Sequence, residues 1–172
     1  TLKDFFASTE KALAQNKKQF IVTANPEAFI LGAKDCDLEK LLLDNETVVI
    51  ADGIGVIKGA DILGINIPER IPGVELAEHL LSCGDKLQKS IYLLGTKKEV
   101  LEALCEKIKS QYKTLSIAGC CDGYVEDKDA VFEEIKKLSP DIILVALGVP
   151  AQEKLIYKHY KDFNKGIFVG VG

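Results

Sequence analysis

Asp52 stands between an apolar run at 47–51 and the glycines Gly53, Gly55 and Gly59, in the stretch VVIADGIGVIKGA at 48–60. Glycines at that spacing, after a strand and before a helix, form a cradle where a phosphate meets the amides of a helix N-terminus. A carboxylate at the lip of such a cradle works against it, because two like charges in close contact cost about 4 kcal/mol at an effective dielectric near 20. The same carboxylate suits a different task, the removal of a proton from a hydroxyl that is about to attack. It also suits a purely structural one, capping the helix that follows. The residues support both equally. In either case Gly53 and Gly55 need only let backbone come close to a ligand.

Other candidates stand at similar places. Thr23 closes the run QFIVT, where its hydroxyl could hold a sugar and where a β-branched strand residue is equally at home. Asn25 precedes Pro26, the pattern of a helix cap followed by proline at the first helical position. Gly95 leads into Thr96-Lys97-Lys98-Glu99, which spells a capping box and implies no chemistry. In GVPAQEK, Gly148 precedes Pro150, expected at the first helical position with the amides of its helix aimed at a ligand. Gln152 there offers an amide that both donates to and accepts from a base or sugar, and Glu153 complements the helix dipole. Arg70, in PERIPGVEL, presents a planar donor fork for a phosphate or carboxylate, or a partner for a surface acid.

Metal chemistry is not expected. Asp35-Cys36-Asp37 and Asp127-Lys128-Asp129 both spell D-x-D, but each precedes a helical pattern, where Asp is an ordinary cap. The five cysteines form no C-x-x-C pair and only two histidines are present, so no zinc spacing is recognisable. Cys120 and Cys121 read as small buried hydrophobes, and His79 and His159 as partly exposed surface residues on helices. No metal and no cofactor is therefore expected. An odd number of thiols and the lack of a signal peptide point to a reducing cytoplasm. The net charge of −4 argues against nucleic acid as a partner. No apolar run approaches the roughly 18 residues that cross a bilayer, so any membrane contact is expected to be peripheral.

These candidates need a frame. With 172 residues, 47% of them hydrophobic, the chain is expected to be one domain over residues 1–172. Apolar runs at 19–23, 47–51, 90–94, 114–118, 141–147 and 167–171 predict strands. Amphipathic stretches predict helices between them, with Val100, Leu101, Leu104 and Ile108 on the inner stripe of 97–110, and Val131, Ile135 and Leu138 on that of 127–138. Near-continuous apolar strands alternating with helices mean an α/β, Rossmann-like fold, a mostly parallel sheet of about six strands with helices on both faces. Ligands of such sheets sit beyond the carboxyl ends of the strands. The turns at 23–26, 52–55, 95–96 and 148–153 are accordingly expected along one rim. An unfinished sheet edge after residue 172 would favour a homo-oligomer. A nicotinamide-dependent oxidoreductase using Gly53 and Gly55, and a noncatalytic nucleotide-sensing module, also fit this frame.

Six motifs in order through nearly the whole chain resemble the WecG/TagA/CpsF family of bacterial glycosyltransferases: TANP (23–26), ADGIGV (51–56), ERIPGVEL (69–76), YLLGT (92–96), DGY (122–124) and DIILVALGVPAQEK (141–154). The resemblance implies inverting transfer of N-acetylmannosamine, or its uronic acid, from a UDP-sugar donor to undecaprenyl-diphosphate-linked N-acetylglucosamine, in the TagA-like branch for teichoic acid synthesis. It implies that Asp52 is the base acting on the acceptor hydroxyl, and that Thr23, Asn25, Arg70, Gln152 and Glu153 line the donor and acceptor site. The chain departs from the family pattern at Glu75, Ala151 and Cys121-Asp122, where an aspartate, a basic residue and a histidine are common. Relatives also continue beyond Gly172 into a basic, partly helical segment, expected to dock on the inner face of the plasma membrane and to close over the leaving diphosphate.

Overall fold

In the computed structural model, which describes residues 1–172, the six apolar runs are strands: β1 (Lys18–Ala24), β2 (Thr47–Ala51), β3 (Ser90–Gly95), β4 (Ser116–Cys121), β5 (Ile142–Ala146) and β6 (Gly166–Gly170). The helices are α1 (Leu2–Ala14), α2 (Pro26–Gly32), α3 (Cys36–Leu42), α4 (Ile54–Ile62), α5 (Gly73–Lys86), α6 (Lys98–Gln111), α7 (Lys128–Leu138) and α8 (Ala151–Tyr160). Every strand pairing is parallel, in the order β2-β1-β6-β5-β3-β4. The α/β, Rossmann-like arrangement expected from the sequence is the one observed.

Alternation along the strands builds two cores. Phe20, Val22, Tyr92, Leu94, Ile143, Val145 and Phe168 point to the face covered by α2, α3, α7 and α8. Their neighbours Ile21, Ile91, Leu93, Ile142, Leu144, Ile167 and Val169 point to the face covered by α1, α5 and α6. Burial on both sides is why these strands read as continuous apolar runs rather than as alternating ones. Asn25 caps α2 through its Oδ1, which accepts from Ala28 N at 2.9 Å, with Pro26 at the first position as expected. Asp35 and Asp127 cap α3 and α7 in the same way, which accounts for both D-x-D motifs.

Several local expectations give way to tertiary partners. The fourth strand starts at Ser116 rather than at 114, because Thr114 and Leu115 donate to Asp85 at the end of α5 and are held off the sheet. It then runs on through Gly119, where a Cβ would meet the Tyr92 ring at 2.6 Å. As this is an edge strand, Cys120 is exposed and Cys121 only half-buried, contrary to the buried pair expected. On α6 the buried stripe is Leu101, Cys105 and Ile108, while Val100 and Leu104 face outward; on α7 Phe132 takes the inner place and Leu138 is exposed. The 96–99 capping box does not form. Lys97 is the N-cap without a side-chain bond, and Thr96 turns to φ +59° so that its N–H reaches Ala146 O. His159 is buried, stacked on Phe132 and 2.6 Å from Asp129. Pro150 is the N-cap of α8, one position earlier than expected. The strand that ends at Gly170 lies between β1 and β5, so the open edges are β2 and β4.

At the amino end of the sheet, Asp141 ties three strands together. It accepts from Ser90 N and Oγ at 3.0 Å each and from Lys165 Nζ at 2.8 Å. Burial opposes ionisation of this carboxyl, but the bonds from Lys165 and Ser90 together outweigh it and hold the group below its ordinary range. A depressed folded value means that the stabilisation is complete above the unfolded value of about 3.9 and is lost as the pH falls through the folded one. In denaturation followed by circular dichroism, the stability difference between the wild type and Asp141→Asn is expected to shrink below about pH 4. A difference that stays constant on acidification would remove Asp141 from the acid response.

Candidate active site

Because all strands run parallel, the turns after β1, β2, β3 and β5 share one rim. Successive connections diverge between β3 and β5, the usual place for a ligand crevice. Here that place is closed by backbone: a Cβ on Gly95 would meet Ala146 O at 2.2 Å, and Gly123 N donates to Thr96 O at 2.8 Å. Gly95, at φ +122°, permits this contact and does not line the rim pocket.

The cavity lies instead over β2, β1 and β6. It has a volume of about 370 Å³, within the range of small-molecule sites. Thr23, Asn25 and Asp52 form one wall at the ends of β1 and β2. Pro72, Gly73, Val74 and Ala77 at the start of α5 form the opposite wall, and Val149, Val171 and Gly172 close the third side. Three of the residues singled out in the sequence thus meet in one pocket, although Thr23 and Asp52 come from different strands.

Asp52 does not cap α4, whose N-cap is Gly53 at φ +94° without a side-chain bond. Its Oδ2 accepts from Gly73 N, the first amide of α5, at 3.1 Å. Its own N–H donates to Ala24 O at 2.9 Å and Ile71 N donates to Ala51 O at 2.9 Å, which fixes the turn on both sides. Oδ1 makes no hydrogen bond within the chain, so one oxygen is anchored and the other is left for the pocket. Gly73 is a pocket-lining position that sequence reasoning missed. A Cβ there would come within 3.2 Å of Asp52 Oδ2 and 3.1 Å of Thr23 Cγ2. The signal was present in Pro72-Gly73 at the head of a helical pattern, but its partner is 21 residues away.

Thr23 Oγ1 donates to Gly170 O at 3.0 Å, which engages its proton and leaves its lone pairs without a partner in the chain. Asn25 uses Oδ1 for the cap of α2 and keeps its NH₂ free of partners within the chain. Arg70 is exposed, forms no ion pair and lies just before the Pro72-Gly73 wall rather than on it. Gly53 and Gly148 shape turns at the rim but do not line the cavity.

The largest difference concerns Gln152 and Glu153, each only 1% exposed. Expected at the ligand, they lie behind the wall. Gln152 Oε1 accepts from Leu147 N, Gly148 N and Gly172 N at 3.2, 3.2 and 3.0 Å, and Nε2 donates to Glu153 Oε1 at 2.8 Å and to Gly172 O at 3.3 Å. The amide is spent inside the chain, joining the β5–α8 turn to the residues after β6. Burial pushes the Glu153 carboxyl above its ordinary range, partly offset by the bond from Gln152, and Oε2 has no partner.

A family model described as "Glycosyl transferase WecG/TagA/CpsF family" matches residues 1–172. Among curated relatives, one from Bacillus subtilis (strain 168) is 35% identical over 172 residues, covering 99% of this chain and 67% of the relative. One from Bacillus spizizenii is 36% identical over 160 residues, covering 93% of this chain and 62% of the relative. One from Staphylococcus aureus (strain NCTC 8325 / PS 47) is 34% identical over 172 residues, covering 99% and 65%. All three are named N-acetylglucosaminyldiphosphoundecaprenol N-acetyl-beta-D-mannosaminyltransferase. The chain therefore spans 62% to 67% of the length of these relatives.

Proposed function

Since the chain belongs to the WecG/TagA/CpsF glycosyltransferase family, we propose that its rim pocket carries the inverting transfer of N-acetylmannosamine from UDP-N-acetylmannosamine to undecaprenyl-diphosphate-linked N-acetylglucosamine. The observation that carries this reading is Asp52, one oxygen held by the Gly73 amide at 3.1 Å and the other unengaged beside Thr23 and Asn25. In the reaction, Asp52 takes the proton of the acceptor hydroxyl while that oxygen forms a bond to the anomeric carbon. The bond from that carbon to UDP breaks, and UDP leaves with the electron pair. Thr23 and Asn25 hold sugar hydroxyls. The uncapped N-termini of α4 and α8, with Gly53 and Gly148 in their turns and Arg70 nearby, offset the charge of the departing diphosphate. Gln152 and Glu153 position the wall, and Gly95 keeps the neighbouring crevice shut.

No helix is long and apolar enough to cross a membrane. Ile54, Ile62, Leu63, Ile65 and Val74 are exposed on and after α4 and at the start of α5, and Val74 also lines the pocket. These side chains support contact of this rim with the lipid of the acceptor at the inner face of the plasma membrane. They also support the expected self-association.

Calorimetry with UDP, UDP-N-acetylglucosamine, UDP-N-acetylmannosamine, its uronic acid counterpart and NADH tests the reading. UDP and the mannosamine donor are expected to bind and NADH to give no heat. Binding of NADH without binding of UDP would instead assign the glycine turn to a nicotinamide cofactor, and a preference for the uronic acid donor would move the substrate within the family.

A further inference from the structure

On the face of the sheet covered by α1, α5 and α6, a cluster of side chains lies outside the pocket and takes no part in the proposed transfer. We propose that Glu10, His79 and Cys83 form a binding site for a zinc-like divalent cation that staples α1 to α5.

His79 and Cys83 are four residues apart and share one face of α5, with Glu10 opposite them on α1. Their ligand atoms all lie within 4.8 Å of one another. Zinc bonds of about 2.0–2.3 Å in tetrahedral geometry set such atoms roughly 3.3–3.7 Å apart. Closing to that geometry takes up to about 1 Å, shared between the exposed Glu10 side chain and the His79–Cys83 pair, whose Nδ1 and Sγ are 3.9 Å apart.

The imidazole is already oriented. It stacks on Phe6 with centroids 4.3 Å apart and planes 10° from parallel. Its Nε2 lies 3.2 Å from Phe6 O. A carbonyl can only accept, so in the neutral ring Nε2 carries the hydrogen and Nδ1 keeps its lone pair; Nδ1 lies 3.9 Å and Nε2 3.4 Å from Cys83 Sγ, so both ring nitrogens stand beside the thiol and Nδ1 is the one left to ligate. A ring nitrogen donating to a backbone carbonyl while the other is free is the arrangement that supports metal-binding histidines. Cys83 is buried and Glu10 is exposed, and Glu10 and His79 line a surface depression of about 420 Å³ that leaves room for a fourth, solvent ligand.

The donor set selects the cation. One sulfur, one imidazole nitrogen and one carboxylate suit zinc, whereas magnesium and calcium take oxygen ligands alone. On binding, the thiol proton goes to solvent and the thiolate and carboxylate balance the two positive charges. The other mixed cluster, Glu133, His159 and Asp162, lacks sulfur, and its histidine is engaged by Asp129 at 2.6 Å. No metal was expected from the sequence because His79-x-x-x-Cys83 is an unremarkable helix face until Glu10 is brought to it from 69 residues earlier.

The test is titration of the protein with cobalt(II), followed by visible absorption, with zinc as competitor. The expected result is saturable binding with a thiolate-to-cobalt charge-transfer band and tetrahedral bands, all removed by zinc, and a zinc-dependent rise in the melting temperature. Cys83→Ser is expected to abolish the charge-transfer band and to weaken binding by more than about 100-fold, since even outer partners of metal ligands are worth about 10–100-fold. Glu10→Gln, an exposed change that leaves the core intact, is expected to keep the band and weaken binding at least about 10-fold. No band at saturating cobalt, or a band that survives Cys83→Ser because the exposed Cys36 or Cys120 supplies it, overturns the site. Should Cys83→Ser not fold, Glu10→Gln decides alone, and undiminished affinity in that variant overturns the site.

Discussion

Asp52→Asn is expected to lower sugar transfer by about 10²–10⁴-fold, the usual contribution of a positioned general base, while UDP binds as it does to the wild type. The substitution preserves size, and the carboxamide oxygen still accepts from Gly73 N, so the wall of the pocket stays in place. What changes is the group offered to the acceptor: an oxygen that can take a proton becomes either a neutral acceptor or an NH₂ donor. Steady-state transfer to a soluble acceptor analogue, with UDP calorimetry alongside, separates the two effects. Transfer retained within a few-fold would end the base assignment. Loss of UDP binding together with transfer would make Asp52 a structural residue of the rim.

Gln152→Ala is expected to destabilise the fold by about 1–3 kcal/mol, because three partly buried backbone amides lose their acceptor together and leaving a donor unpaired away from water costs that order. The partner left behind adds to the loss. Glu153 Oε1 loses its donor while Oε2 already has none, in a site that burial makes unfavourable for charge. Against a typical total of about 5–15 kcal/mol, the change is a large fraction of what holds such a domain folded. Urea denaturation measures it. A variant that is as stable as the wild type but binds the donor weakly would return Gln152 to the role expected from the sequence, a direct ligand contact.

The strands show what was legible beforehand and why. All six were visible as apolar runs, and in β1, β3, β5 and β6 the reason is burial on two faces, which leaves a mark on most residues of a strand. The caps at Asn25, Asp35 and Asp127 were legible for a related reason: each side chain bonds an amide two or three residues ahead. The Thr96 capping box had the same local logic and failed, because Thr96 N found Ala146 O, 50 positions away in the chain. The inner stripe of α6 was misjudged for want of the same knowledge. Periodicity gave a helix, but which of Val100, Leu101, Leu104 and Cys105 faces the sheet depends on how the helix is rotated against it.

Residue types and short spacings determined the strand and helix content, the parallel sheet, the rim along which functional turns gather, and the candidacy of Thr23, Asn25 and Asp52. Only the tertiary structure decided that Asp52 is held by α5 rather than by the helix it precedes, that Gly73 completes the pocket, and that Gln152 is spent behind it. The physical reason is reach. A cap, an amphipathic stripe or a turn is an interaction within about four residues and is written in adjacent letters. The hydrogen bonds of Asp52 and Gln152 join segments 21 and 20 residues apart, and that of Thr23 crosses 147. Such partners meet because strands pair in the order β2-β1-β6-β5, and no local pattern encodes that order.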